Sequence, residues 1–489
     1  VPRSCPEHVP RHACPNDRRI PEDGPADSTW LRRCWKAHSD SQVLSRPIFP
    51  FRSPPLSVPL PQRMSTATAI PVTPLSHLAE NLIGSEIIKI GGQLNARIAA
   101  GERIANLTIG DFDPKVFPLP EAYVNEIITA YREGHTNYPQ ANGMDVLRAE
   151  VARFIGRKQG LTYDKNEVLI ASGGRPLIYA AFRTIVDAQD KVVFPIPSWN
   201  NNHYTFLNSA QQVAVPTSAA NRFLPTADDL RPYVSDAALL AVCSPLNPTG
   251  TSFTADQLAA ICDLVLEENS RRADRKPLYL LYDQIYSALT LGDTVHVDPV
   301  SLRPEMRPYT IFIDGVSKAF AATGVRVGWA FGPERIMQRM HSLLGHIGAW
   351  APKPEQIATA RLLQQDAVVD GIIDGHLNKI HERVDALYNG FMSLKDEGFP
   401  VDAIPAEGAM YLTVKIDLQG RTLKDGTVLG DAEDVAMFLI RTANVGLVPF
   451  YAFGADRNDP WCRISVGTLR MDEVPMIFEN LRKALALVG

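Results

Sequence analysis

The stretch "YTIFIDGVSKAFAATGVRVGWAFG" (residues 309–332) joins a continuous apolar run to a lysine just past its end, with a Gly-x-Arg-x-Gly segment following. A run without polar alternation is the pattern of a strand buried on both faces, as in a parallel sheet covered by helices on either side. Four earlier runs read the same way: "EVLIAS" (167–172), "KVVFPI" (191–196), "ALLAVCS" (238–244) and "LYLLYD" (278–283). Segments with helical spacing separate or precede them, at 120–134, 145–160 and 254–270. Strands alternating with helices predict an α/β fold, a three-layer sandwich with a mostly parallel central sheet. After about residue 340 the pattern changes to a long helix (371–398), the run "AMYLTVKI" (409–416) and a last helix (471–489), which reads as a smaller α+β domain. The expected division is a segment at 64–115 joining the small domain, a large domain at 116–340 and a small C-terminal domain at 341–489.

Residues 1–63 differ from the rest. They hold 12 of the 38 prolines and no sustained period, a composition that buries too little apolar surface to offset the entropy of ordering. The expectation there is a disordered, proline-rich extension outside the functional body of the chain, with Met64 as a natural start. Arginines outnumber acids in it, so organellar targeting is an alternative, but six acidic residues argue against a transit peptide and favour a cytoplasmic protein.

The 489 residues exceed what one hydrophobic core usually serves, so two subdomains are expected. A formal net charge of −5 gives no electrostatic reason to expect nucleic acid or an anionic membrane as partner. No apolar run is long enough to span a bilayer. Six scattered cysteines without a C-x-x-C pair indicate neither a disulfide framework nor a zinc site. His376 and His381 stand five apart on a predicted helix, the wrong spacing for an i, i+4 metal pair, and read as a solvated face.

In open α/β sheets ligands bind beyond the carboxyl ends of the strands. Polar groups collect at those ends here: Gly173, Gly174 and Arg175 after the first run, "SPLNPTG" (244–250) after the third, Asp283 and Tyr286 after the fourth, and Asp314, Ser317 and Lys318 after the fifth. A lone lysine at a strand end is usually solvated. One in this ordered company reads as chemistry.

The ordered set resembles the class I and II aminotransferases, fold-type I enzymes that use pyridoxal 5′-phosphate, and within them the prokaryotic aspartate aminotransferase branch. "SPLNPTG", "YDQIY" and "SKAFAATGVRVGW" carry the resemblance, which runs from about Ile87 to the C-terminus. It implies that Lys318 holds the cofactor as an internal aldimine and moves the substrate α-proton. It also implies that Asp283 pairs with the pyridine nitrogen, Tyr286 and Asn247 with the ring's phenolic oxygen, and Trp199 stacks on the ring. Gly173, Gly174, Arg175, Ser317 and Arg326 would hold the phosphate, helped by Tyr138 from the neighbouring subunit of a homodimer. Arg463 would clamp the substrate α-carboxylate, with Gly110 lying against the substrate. Arg175 stands where that branch has a lysine reading a distal carboxylate, so it serves either the substrate or only the phosphate. Three departures are visible: Gln284 where the family usually has Glu, Gly315 where some members have a phosphate-binding serine, and "PFYAFG" in place of the usual Pro-Gly.

The function implied is transamination between L-aspartate and 2-oxoglutarate. Aromatic or other neutral amino acids are the alternative donors. A lyase on the same fold finds no support in the motifs. A non-catalytic sensor domain of a transcription regulator is the rival from another class, but residues 1–75 are too proline-rich to form the winged helix it needs.

Overall fold

The computed structural model describes residues 75–488. The expectations for residues 1–63 and for the start at Met64 lie outside that range. Seven strands form the main sheet: β1 (Val168–Ala171), β2 (Lys191–Ile196), β3 (Gln211–Pro216), β4 (Ala237–Cys243), β5 (Tyr279–Asp283), β6 (Thr310–Gly315) and β7 (Gly328–Phe331). Their spatial order is β1-β7-β6-β5-β4-β2-β3, and only β7 runs antiparallel to its neighbours.

Adjacent residues within a strand feed opposite cores, which is why the runs are apolar without alternation. Leu240, Val242, Leu280, Tyr282 and Phe312 face helices Asp145–Gln159 and Ala255–Arg271 through Leu147, Val151, Leu258 and Val265. Leu239, Ala241, Leu281, Ile311 and Ile313 face helices Gly174–Ile185 and Glu334–Ile347 through Leu177, Phe182, Met337 and Met340. Local signals set the helix ends. Thr254 accepts from the Gln257 N–H in a capping box, and Gly160 takes the left-handed conformation that ends helix Asp145–Gln159.

A second sheet is antiparallel: β8 (Val401–Ile404), β9 (Tyr411–Ile416), β10 (Val448–Pro449) and β11 (Trp461–Ser465), in the order β10-β11-β9-β8. Helices Ala432–Thr442 and Val474–Leu485 and the C-terminal half of helix Asp366–Asp396 cover it. Ala105–Asn106 pairs in parallel with Val445–Gly446.

The boundary expected at residue 340 falls too early. Helix Lys353–Leu363 presents Ala358, Ala360, Leu362 and Leu363 to the large-sheet core, and the long helix still contributes Val369 and Ile373 there before Ile380 and Val384 enter the small one. His376, expected on a solvated face, is also placed differently. It is buried, and its Nδ1 lies 3.0 Å from the Ala319 carbonyl oxygen, because the turn after Lys318 packs on that face of the helix. His381 is exposed and pairs with Asp385. Among the described residues no helix is long and apolar enough to cross a membrane.

Candidate active site

The carboxyl ends of β1, β4, β5 and β6 converge on one cavity of about 650 Å³. Gly110, Gly174, Arg175, Trp199, Asn247, Asp283, Tyr286, Ser317, Lys318, Arg326 and Arg463 all line it. Of the residues singled out in the sequence, Gly173 lies just behind the wall and Tyr138 lies outside. Tyr138 is 82% exposed, with its ring edge-on to Trp350. Asp314 turns away from the cavity. Its carboxylate accepts from the Gly315 N–H, the Ser287 hydroxyl and the side-chain amide of Gln284. Gln284 is thus bonded to the acid near the end of β6, away from the cavity.

Lys318 sits in the short helix Val316–Ala319 that opens directly from β6, so the strand end fixes its position. Its Nζ donates to the Gly110 carbonyl at 2.7 Å. Burial pushes its ammonium down to about 8, helped by the charges of Arg463, Arg175 and Arg326 and opposed by Asp111. An amine of that affinity is still mostly protonated near physiological pH but is neutral in a far larger fraction of molecules than an ordinary lysine, and the neutral form is the one a nucleophile or a proton acceptor requires. Asp283, at the end of β5, is pushed up to about 6 by burial, against the Ile285 N–H and the Lys318 charge. A cationic partner in the cavity would restore its charge.

One corner is built for an anion. Helix Gly174–Ile185 starts after Gly173, which takes φ +84° and offers no side-chain cap, so first-turn N–H groups face the cavity. Arg326 is itself left-handed (φ +61°), which turns its guanidinium back over Gly173. It donates there to the carbonyls of Ser172 at 2.8 Å and Thr323 at 2.7 Å. A Cβ on Gly173 would collide with that guanidinium, and one on Gly328 would lie 2.6 Å from the Gly173 carbonyl carbon. Only glycines let the three segments close this corner. The donor set suits a phosphate.

The opposite wall comes from the small sheet. Arg463, in the middle of β11, is 2% exposed. Its guanidinium donates to the Asn247 side-chain oxygen at 3.1 Å and the Thr108 carbonyl at 2.6 Å, while Nε is buried without a partner. Its ring neighbours are Tyr411 and Phe453, with centroids at 4.6 and 4.9 Å. The "PFYAFG" departure folds as a 3₁₀ turn, Phe450–Phe453, that brings the second of these rings to the arginine. The Asn247 oxygen is committed to Arg463, which leaves its NH₂ free to donate into the cavity. Arg175 is exposed at the cavity wall, its guanidinium 4.8 Å from the Trp199 ring centroid.

Asp111, His203 and Tyr411 also line the cavity and were not assigned from the sequence. Asp111 accepts from Thr323, and His203 is held below its usual range by burial and Arg175. Asp111 directly follows Gly110 in "LTIGDFDP", which was a usable signal. For Tyr411 the only signal was its place in the stretch "PAEGAMYLTVKI".

The class follows from sheet, lysine and anion corner together. The family model described as aminotransferase class I and II matches residues 102–481, and the chain belongs to that family. It is a pyridoxal-phosphate-dependent transaminase. Among individual relatives, the aspartate aminotransferase of Geobacillus stearothermophilus is 28% identical over 390 residues, covering 79% of this chain and 92% of the relative. A bifunctional aspartate aminotransferase and glutamate/aspartate-prephenate aminotransferase of Petunia hybrida is 28% identical over 417 residues, covering 85% and 83%. The crystal structure of the Rhizobium meliloti aspartate aminotransferase superposes with a TM-score of 0.77 at 24% identity, covering 85% of this chain and all of that one.

Proposed function

We propose that the enzyme transfers the amino group of L-aspartate to a 2-oxo acid, 2-oxoglutarate, with Lys318 as the lysine that tethers the cofactor. Pyridoxal phosphate, when bound, supplies the electron sink for the carbanion left when the substrate loses its α-proton. The anion corner formed by Gly173, Gly174, Ser317 and Arg326 would hold its phosphate, Asp283 would pair with its ring nitrogen, Tyr286 and Asn247 would donate to its ring oxygen, and Trp199 would pack on the ring. The Lys318 amine, held near 8 by burial, would take the proton from the substrate α-carbon and pass it to the cofactor carbon that bears the transferred nitrogen.

The observation that carries the substrate reading is that two arginines, Arg463 and Arg175, line the same cavity. Arg463 is buried, bonds only neutral acceptors and keeps Nε free, so an incoming carboxylate satisfies it. Gly110 gives the substrate room in front of it. Arg175 stands at the wall against Trp199, in position for a second carboxylate. The aspartate activity in the names of the Geobacillus and Petunia relatives supports this reading. Tyr138, exposed and outside its own chain's cavity, serves the phosphate of a second copy in a homodimer. A second reading, transfer from aromatic or other neutral amino acids, is favoured by the apolar wall of Leu82, Ile83, Ile87 and Ile88 at the same cavity.

The test is a half-reaction without acceptor, following the cofactor's visible absorption after adding L-aspartate, L-alanine or L-phenylalanine. Conversion to the amine form by aspartate far ahead of the other two is the expected result. A response confined to neutral amino acids would assign Arg175 to the phosphate alone.

A further inference from the structure

Tyr411 opens β9 in the small sheet and is 1% exposed. Its hydroxyl lies 2.7 Å from that of Tyr286, with the two rings edge to face. Its ring face lies 4.6 Å from the Arg463 guanidinium. On its far side is Gly110, where a Cβ would lie only 2.9 Å from the Tyr411 hydroxyl. Gly110 is also the residue whose carbonyl takes the Lys318 ammonium. One phenol therefore touches the candidate carboxylate clamp, the candidate partner of the cofactor's ring oxygen and the backbone that holds the lysine.

Two hydroxyls at hydrogen-bond distance place one hydrogen between them, and either phenol can donate it. The ring oxygen that Tyr286 would face is an acceptor, so the Tyr286 hydrogen is spent there and the hydrogen between the two phenols comes from Tyr411. Tyr286 accepts, and its own hydrogen is left for the cavity. A phenol that accepts one hydrogen bond also donates a stronger one.

We propose that Tyr411 is a positioning residue whose hydroxyl donates to Tyr286, aiming the Tyr286 hydroxyl hydrogen at the cofactor ring while the Tyr411 ring supports Arg463. This rests on the reading of Tyr286 as a cofactor contact and extends it to a side chain that touches the cofactor only through another. The two jobs separate by substitution: Tyr411→Phe keeps the ring under Arg463 and removes only the hydroxyl.

The experiment is a double-mutant cycle on the full chain. Pyridoxal phosphate is titrated by absorbance into the cofactor-free forms of wild type, Tyr411→Phe, Tyr286→Phe and the double variant. Tyr411→Phe should weaken binding by roughly 2- to 12-fold, the worth of one hydrogen bond, and shift the visible band of the bound cofactor. Both effects should vanish in the Tyr286→Phe background. An equal loss in both backgrounds, or no loss in either, overturns the proposal, because a purely structural role does not depend on the Tyr286 hydroxyl. If wild type binds no cofactor, the functional reading itself fails and this inference with it. If wild type binds it and Tyr286→Phe binds equally well, the role of Tyr286 and this inference fail together, while the functional reading stands.

Discussion

The two sheets contribute to one cavity in opposite ways. The large parallel sheet supplies residues just past strand ends: Gly173 after β1, Asn247 after β4, Tyr286 after β5 and Lys318 after β6, with Asp283 the last residue of β5. The small antiparallel sheet supplies Arg463 from within β11 and Tyr411 from β9, whose register pairs Tyr411 with Ser465 and Thr413 with Arg463. Strand ends of a parallel sheet gather loops and helix N-termini on one edge, where N–H donors and short polar motifs hold a large anion. A strand body offers no free backbone donors, only a side chain on a rigid, paired frame. That suits a single clamp. On the proposed reading the cofactor side is therefore many donors, and the substrate side is led by one buried arginine.

Arg463→Lys should break this division most. A lysine at that site loses the fork that matches a carboxylate. The expected result is a fall in kcat/KM of roughly 10- to 150-fold, the worth of a hydrogen bond to a charged group, with cofactor affinity little changed. Steady-state kinetics beside a cofactor titration would check it. An equal loss of cofactor affinity would mean that the two sides are not separate.

A smaller effect belongs to the large sheet alone. Asp314, behind the strand ends, is pushed up to about 7 by burial and by neighbouring Asp283. Its folded value lies above its unfolded one of about 4. The folded state therefore holds a proton that the unfolded state releases, and stability is lost as pH rises through about 7. Asp283, raised to about 6, acts in the same sense and remains. Asp314→Asn should flatten the decline, so the cofactor-free variant loses less of its thermal midpoint between pH 5 and pH 8 than wild type does. Equal losses would show that Asp314 does not titrate there.

The five apolar runs were legible because each is buried on both faces. Two strands of the large sheet were not. β3 is the edge strand, and its first two residues, Gln211 and Gln212, are exposed and polar. β7 starts at Gly328, the last residue of the Gly-x-Arg-x-Gly segment, where a glycine is needed because the strand passes close to Gly173. The domain boundary was misread because helix Lys353–Leu363 carries an apolar pattern that does not say which core it joins. In the site, the strand-end residues were legible since the lysine, the aspartate and the Asn-Pro turn sit next to their strands in the chain. Tyr411 was not, because it meets Tyr286 across 125 residues of sequence, and no local pattern records that contact.

The most direct test of the account is where the cofactor attaches. The holoenzyme would be reduced with borohydride, digested and mapped by mass spectrometry. The account predicts a single cofactor adduct on the peptide carrying Lys318, and none after Lys318→Ala. An adduct on another lysine, or one that survives the Lys318→Ala substitution, would contradict it.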